Sequence, residues 1–358
     1  MCRLFTLLLA SALLSSCHKD GSFSLDQQFA DHQLTTYEIT YVSVRSHNFM
    51  AIWEEEFELQ PLASKVISPF LPDRNLKAHV TSPPANSKFS SPAIFIFHGG
   101  AFIPGIGSFR SQEMINLSKY YAARGFVAIS VEYRDANLLT PSWIKAGYCA
   151  TQDAKAALQY FANHHRKYNI DPESFYLTGI SAGAITALNA AFLEHGESIE
   201  LRQEKLDRIY GRIDGLGEQA HTTYTIKGVL NICGAAFDLD MIDNAIPVVS
   251  VHGTKDKILP YACGMPFEDY SLKYNALLSR AISALSIAPT LQERLKQAKS
   301  FEVCGGSEIH LRLLKNNTPT KLITLEDDHN VFFGQSGVLT TQGEDLLKTS
   351  LTFFQKNL

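Results

Sequence analysis

Ser174-Phe175-Tyr176-Leu177-Thr178 is a β-prone run; Gly179-Ile180-Ser181-Ala182-Gly183 follows it directly, and Ala184 to Leu193 continues as a helical pattern. A serine between strand and helix sits on a sharp turn with its hydroxyl projecting from the edge of a sheet. The flanking glycines let the neighbouring backbone fold tightly around it. In a chain of 22 glycines such a pentapeptide recurs by chance, so its weight comes from a second strand end upstream. There the apolar run Ala93-Ile94-Phe95-Ile96-Phe97 leads into His98-Gly99-Gly100-Ala101-Phe102.

Two such strand ends, in this order, resemble the α/β-hydrolase fold, in particular its esterase and lipase branch with an H-G-G oxyanion loop and a G-x-S-x-G nucleophile elbow. The resemblance covers about residues 75 to 355 and implies a mostly parallel sheet flanked by helices on both faces, with cap or lid insertions. It also implies that the site lies in chain order serine, acid, histidine, which confines the search to residues after 181.

Five histidines follow: His195, His221, His252, His310 and His329. His195 stands at the far end of the helix that begins at the serine, roughly 20 Å away at the helical rise. His221 precedes every acid candidate, and His310 reads as a helix-surface residue. His252 lies in Val248-Val249-Ser250-Val251-His252-Gly253-Thr254-Lys255-Asp256, which resembles the family's acid-bearing strand end; there the histidine is structural and Asp256 is the carboxylate. His329, after Leu322-Ile323-Thr324-Leu325, stands where the family places its base. The expected triad is therefore Ser181, Asp256 and His329, with Asp327 and Asp328 as rival acids poorly placed to meet the ring of their own neighbour. By the same resemblance the backbone N-H groups of Gly99, Gly100 and Ala182 form the oxyanion hole. Ala101 departs from the longer form of the motif, which has a third glycine.

A serine hydroxyl is a weak nucleophile until an imidazole takes its proton and a carboxylate orients that imidazole. Taken singly, a serine in a turn or an aspartate after a strand is an ordinary loop residue; three strand ends in the right order favour chemistry. The implied activity is hydrolysis of carboxylic esters through an acyl-enzyme, with no cofactor and no metal. The substrate is a small-molecule or polysaccharide-linked ester. A serine peptidase or amidase on the same fold is the alternative, and a non-catalytic surface binding protein a more distant one. Tyr133-Arg134 with Asp153 resembles a structural ion pair beside the site. Gly306-Ser307-Glu308-Ile309-His310 resembles a segment of secreted bacterial hydrolases and has no assigned chemistry. Phe102, Trp143, Tyr148, Phe237, Phe267, Phe332 and Phe333 are candidates for a pocket wall, although aromatic residues are more often plain core.

The 358 residues, 45% apolar and 19% charged with a net charge of -4, can bury a sizeable core and carry no general attraction to nucleic acid. Residues 1-16 have a different character. Arg3 is followed by an apolar run from Leu4 to Leu14, too short to span a bilayer and built like the h-region of a signal peptide. Leu14-Ser15-Ser16-Cys17 resembles a bacterial lipobox, which implies lipidation at Cys17, an exported protein of the bacterial cell envelope, and membrane contact only through that anchor. Residues 17-36 read as a tether and 37-358 as the hydrolase domain. Export permits disulfides, and Cys149, Cys233, Cys263 and Cys304 allow three pairings; Cys263 with Cys304 is preferred because both fall in one insertion.

Alternating short apolar runs and longer helical patterns predict strands near 75-81, 92-98, 126-132, 174-180, 226-233, 246-252 and 320-326. Helices are expected near 108-124, 143-167, 182-195, 268-299, 305-315 and 341-355. In residues 37 to 74, Ile39 to Val44 reads as extended, Trp53-Glu54-Glu55-Glu56-Phe57 followed by Pro61 matches neither strand nor helix cleanly, and the stretch is expected to contribute antiparallel edge strands. Two insertions, about 196-225 and 257-318, exceed what short connections need and are expected over the site.

Overall fold

The computed structural model describes residues 23–44, 74–84, 89–135, 143–194, 206–207, 210–242, 245–267, 302–329, 332–334 and 336–357. The expected signal peptide, Cys17, the 53–61 segment, His195 and the 268–299 helix lie outside them. Within them, β1 (Thr35–Val44), β2 (Arg74–Ser82), β3 (Ser91–Phe97), β4 (Val127–Val131), β5 (Ile170–Ile180), β6 (Ile226–Ile232), β7 (Val248–Gly253) and β10 (Thr320–Leu325) form one sheet. The strand order is β1-β2-β4-β3-β5-β6-β7-β10. All pairs are parallel except β1 with β2 and β2 with β4, so the antiparallel edge expected from Ile39 to Val44 is present. A separate pair, β8 (Cys263–Gly264) and β9 (Val303–Cys304), carries the Cys263–Cys304 disulfide.

The helices are α1 (Gln112–Ala122), α2 (Trp143–Asn163), α3 (Ala182–Phe192), α4 (Gly306–Lys315) and α5 (Thr341–Asn357). Strand periodicity of two sorts the core into two layers. Phe95 and Phe97 of β3 pack in the layer that holds Leu158 and Phe161 of α2 and Ile185 and Leu188 of α3. Ile94 and Ile96 point the other way, into the layer of Leu117 and Tyr121 of α1 and Leu347 and Leu351 of α5. Burial on both faces explains why β3 reads as a continuous apolar run rather than an alternating one. Each large side chain buried there contributes roughly 1.5–3 kcal/mol.

Several boundaries differ from the sequence pattern for local reasons. The helix expected from 108 begins at 112, because Ser111 accepts the Met114 N–H as its N-cap and Ser108 holds a preceding turn. The helix expected over 143-167 ends at Asn163. A single turn, His165–Tyr168, follows and is closed by Asn169 in the left-handed region at φ 53°. Residues 23–36, read as tether, are docked instead. Phe23 is buried against Phe126 and Tyr176, Gln355 donates to its carbonyl, and a short 3-10 turn spans Asp31–Gln33.

The expectation that the first insertion covers the site is not met by its described part. The Gln152 side-chain amide donates to the carbonyls of Tyr210, Gly211 and Arg212, and Asn163 binds the backbone of Gln219 and His221. Residues 210–222 therefore run along the outer flank of α2 toward its carboxyl end. Arg134 and Asp153 form the expected buried pair at 2.8 Å, and Asp153 also accepts the Arg134 N–H. Among the described residues no helix is long and apolar enough to cross a membrane.

Candidate active site

Ser181 joins β5 to α3 at φ 57° and ψ -121°, a left-handed conformation that costs a non-glycine residue about 1–3 kcal/mol. Its N–H donates to the Ile232 carbonyl at 2.9 Å, which ties the turn to the end of β6. The two flanking glycines are required by close approach. A Cβ on Gly179 would stand 2.2 Å from the backbone of Gly183, and one on Gly183 would stand 2.1 Å from the Phe97 carbonyl oxygen. The elbow is thus pressed against the end of β3, where the H-G-G segment begins.

That segment is held from behind. The His98 ring stacks on Tyr133 at 4.3 Å, its Nδ1 lies 2.7 Å from the Gly99 carbonyl, and the Tyr133 hydroxyl donates to the His98 carbonyl. Burial pushes the His98 imidazole down to about 4, against the opposing effect of the Gly99 carbonyl, so the ring is neutral and Nδ1–H donates. Gly100, Ala101 and Phe102 follow at φ 122°, 54° and 54°, a strained loop, and a Cβ on Gly99 would stand 3.6 Å from the Ser181 Cβ. Gly99 thus lies beside the Ser181 side chain, and Ala182 is the first residue of α3.

Asp256 and His329 meet across two other strand ends. His329 Nδ1 lies 2.6 Å from Oδ2 of Asp256, whose carboxyl is buried. Oδ1 accepts the N–H groups of Ile258 and Leu259 at 2.8 and 3.0 Å, and Nε2 of His252 lies 3.2 Å from Oδ2. Burial alone would raise the carboxyl, but hydrogen bonds from His252 and His329 outweigh it and hold Asp256 well below the usual carboxylate range. The carboxylate can only accept, so Nδ1 of His329 carries the proton and Nε2 is left as a base. Asp327 and Asp328 are spent on backbone: Asp328 accepts the N–H groups of His329 and Lys257, and Asp327 that of Asp328. His221 is exposed and held through its backbone by Asn163, while His310 bonds Thr320.

Register places these ends side by side. Ile180 pairs with Ile232, Ile232 with Val251, and Gly253 with Leu325, so the residues just beyond them share one carboxyl rim. Cys233, at φ 48°, completes the corner; its sulfur, a carboxylate oxygen of Asp256 and a ring nitrogen of His329 lie within 4.8 Å of one another. Burial, with Asp256 beside it, pushes the thiol far up, so it stays a neutral S–H. With Asp256 and His329 bonded to each other, we assign that corner no metal. The disulfide choice is met, and Cys149 and Cys233 are free and buried.

Among the aromatic candidates, Phe102, Trp143 and Phe267 form an edge-to-face series at 6.0 and 5.2 Å that links the H-G-G loop to the loop after Asp256. Tyr148 instead donates to Gly211, and Phe332 belongs to the opposite core layer.

Comparison with solved structures agrees with the fold. The propionate-bound esterase Est2 of the Planctomycetes species Thermogutta terrifontis superposes with a TM-score of 0.52 at 16% identity, over 79% of this chain and 90% of that one. The chain has the α/β-hydrolase fold. The same enzyme phosphorylated by paraoxon gives 0.51 at 16% identity, over 79% and 89%. Residues 80–245 match the BD-FAE family model, a span that includes Gly99, Gly100 and Ser181 and ends before Asp256. A carboxylic ester hydrolase of Bombus ignitus is 28% identical over 118 residues, 30% of this chain and 20% of that protein, so the chain spans about a fifth of that relative's length.

The buried, neutral His98 makes a prediction. Its folded value near 4 lies below the ordinary 6.5, so as pH falls the unfolded chain takes up the proton first. The contribution is complete above pH 6.5 and lost toward pH 4, by up to roughly 3 kcal/mol. In His98→Asn, whose amide keeps a donor to Gly99, unfolding in urea across that range should show a shallower decline than wild type. A constant offset between the two curves contradicts the burial of a neutral ring.

Proposed function

We propose that the protein is a serine-dependent carboxylic ester hydrolase that works through Ser181, His329 and Asp256. The observation that carries this reading is the 2.6 Å contact of His329 with a buried carboxylate, on the rim where the strained Ser181 stands. His329 Nε2 takes the Ser181 hydroxyl proton as Oγ bonds to the ester carbonyl carbon. The developing oxyanion is received by the N–H groups of Gly99, Gly100 and Ala182, each worth on the order of a hundredfold in rate. The imidazolium returns its proton to the departing alcohol oxygen, leaving an acyl-enzyme. Water then repeats the sequence, giving its proton to His329 and its oxygen to the acyl carbon, and Ser181 leaves with the proton restored.

The Bombus ignitus relative is named a carboxylic ester hydrolase and the T. terrifontis protein an esterase, which favours esters over amides here. The substrate reading is a small-molecule or polysaccharide-linked ester. Localisation follows from Cys17, which we propose as the lipidated residue of an envelope protein. Phe23, where the described chain begins, packs on Phe126 just ahead of β4. That is the amino end of the sheet, so an anchor at Cys17 ties the molecule by the end opposite Ser181 and turns the catalytic rim away from the bilayer.

Ser181→Ala should fold normally and lose turnover of p-nitrophenyl esters by on the order of a millionfold. Retained turnover defeats the assignment of the nucleophile, and faster cleavage of peptide p-nitroanilides than of esters turns the reading to a peptidase. For localisation, Cys17→Ala should move the protein from the membrane fraction of a bacterial host to the soluble one. Equal partition of both forms removes the anchor.

A further inference from the structure

Gly306-Ser307-Glu308-Ile309-His310 has no part in the ester chemistry above, yet the fold sets its first residue behind the acid. The Gly306 N–H donates to Nδ1 of His252 at 3.1 Å. An amide N–H can only donate, so Nδ1 is bare and the ring carries its proton on Nε2. Nε2 lies 3.2 Å from the Leu259 carbonyl oxygen and 3.2 Å from Oδ2 of Asp256, the same oxygen that His329 engages. His252 is fully buried, so no solvent competes for that N–H.

The surroundings are shaped for this contact. A Cβ on Gly305 would stand 1.9 Å from the Pro260 carbonyl and 3.0 Å from Cε1 of His252, and one on Gly306 3.2 Å from the His252 Cβ. Two glycines in succession let the start of α4 press its amide onto the ring. The disulfide-linked β8–β9 pair holds the glycines in place through Gly305 N–H to Ala262 at 2.8 Å and Ser307 N–H to Tyr261 at 3.1 Å.

We propose that His252 is a positioning residue for ester hydrolysis: its tautomer, set by the Gly306 amide, turns an N–H toward Oδ2 of Asp256 and fixes the carboxylate that orients His329. The proposal rests on the Ser181, His329 and Asp256 reading. Among the described residues, two amides hold Oδ1 and the two histidines engage Oδ2. Among the described residues, removing the His252 N–H leaves His329 as the donor on the oxygen that aims it.

The test compares three substitutions. His252→Phe keeps the ring volume without either nitrogen, His252→Asn places its amide near the Nδ1 position, and His252→Gln reaches the Nε2 position with an N–H. Phe and Asn should lower kcat for a p-nitrophenyl ester about tenfold or more at unchanged KM, while Gln retains most of it. The downfield proton resonance of the His329 Nδ1–H should shift or broaden in Phe and Asn and persist in Gln. Wild-type kcat in folded His252→Phe overturns the proposal. Should that variant not fold, equal kcat and equal proton spectra for Asn and Gln overturn it. Turnover retained by Ser181→Ala would instead remove the triad reading beneath it, an outcome these three variants cannot mimic.

Discussion

One buried carboxylate organises the rim of this sheet. Asp256 is removed from water, which would favour its protonated form, and stays ionised because N–H groups of Ile258 and Leu259 and the rings of His252 and His329 surround it. A carboxylate so enclosed has little rotational freedom, and the imidazole bonded to it at 2.6 Å inherits that order. The orientation of the His329 ring is therefore set by the groups that enclose Asp256.

Ser181 is held differently, in a strained turn. A left-handed Ser181 persists only because the surrounding backbone leaves no alternative: Gly183 lies against Phe97, the Ser181 amide is taken by Ile232, and α3 starts one residue later. The H-G-G loop, braced through His98 on Tyr133, runs beside it with three consecutive positive φ angles. Two strained segments are thus pressed together where β3 and β5 end.

The strands of the parallel layer were legible because burial on both faces leaves unbroken apolar runs, as in Ala93 to Phe97, and because each ends in a glycine or polar turn. Ser181 and the two glycines upstream were readable from position in that pattern, and Asp256 and His329 from resemblance at the next strand ends. The docking of residues 23–36 was not, since one apolar residue, Phe23, among polar ones gives no periodicity; its burial depends on Phe126 and Tyr176, far away in the chain. The route of residues 210–222 was also hidden, because it is set by the Gln152 and Asn163 side-chain amides on α2, which donate to its carbonyls and leave no local sequence signal. His252 was read as structural, and nothing local to it reveals the Gly306 amide 54 residues on. Contacts of that kind are fixed by packing, not by pattern.

The most direct measurement is covalent labelling with a fluorophosphonate followed by peptide mass spectrometry, on the full chain and on His329→Ala. The account predicts a single adduct on the peptide that contains Ser181, formed rapidly in the wild type and lost when the imidazole is removed. An adduct on another serine, or undiminished labelling of Ser181 without His329, would contradict it.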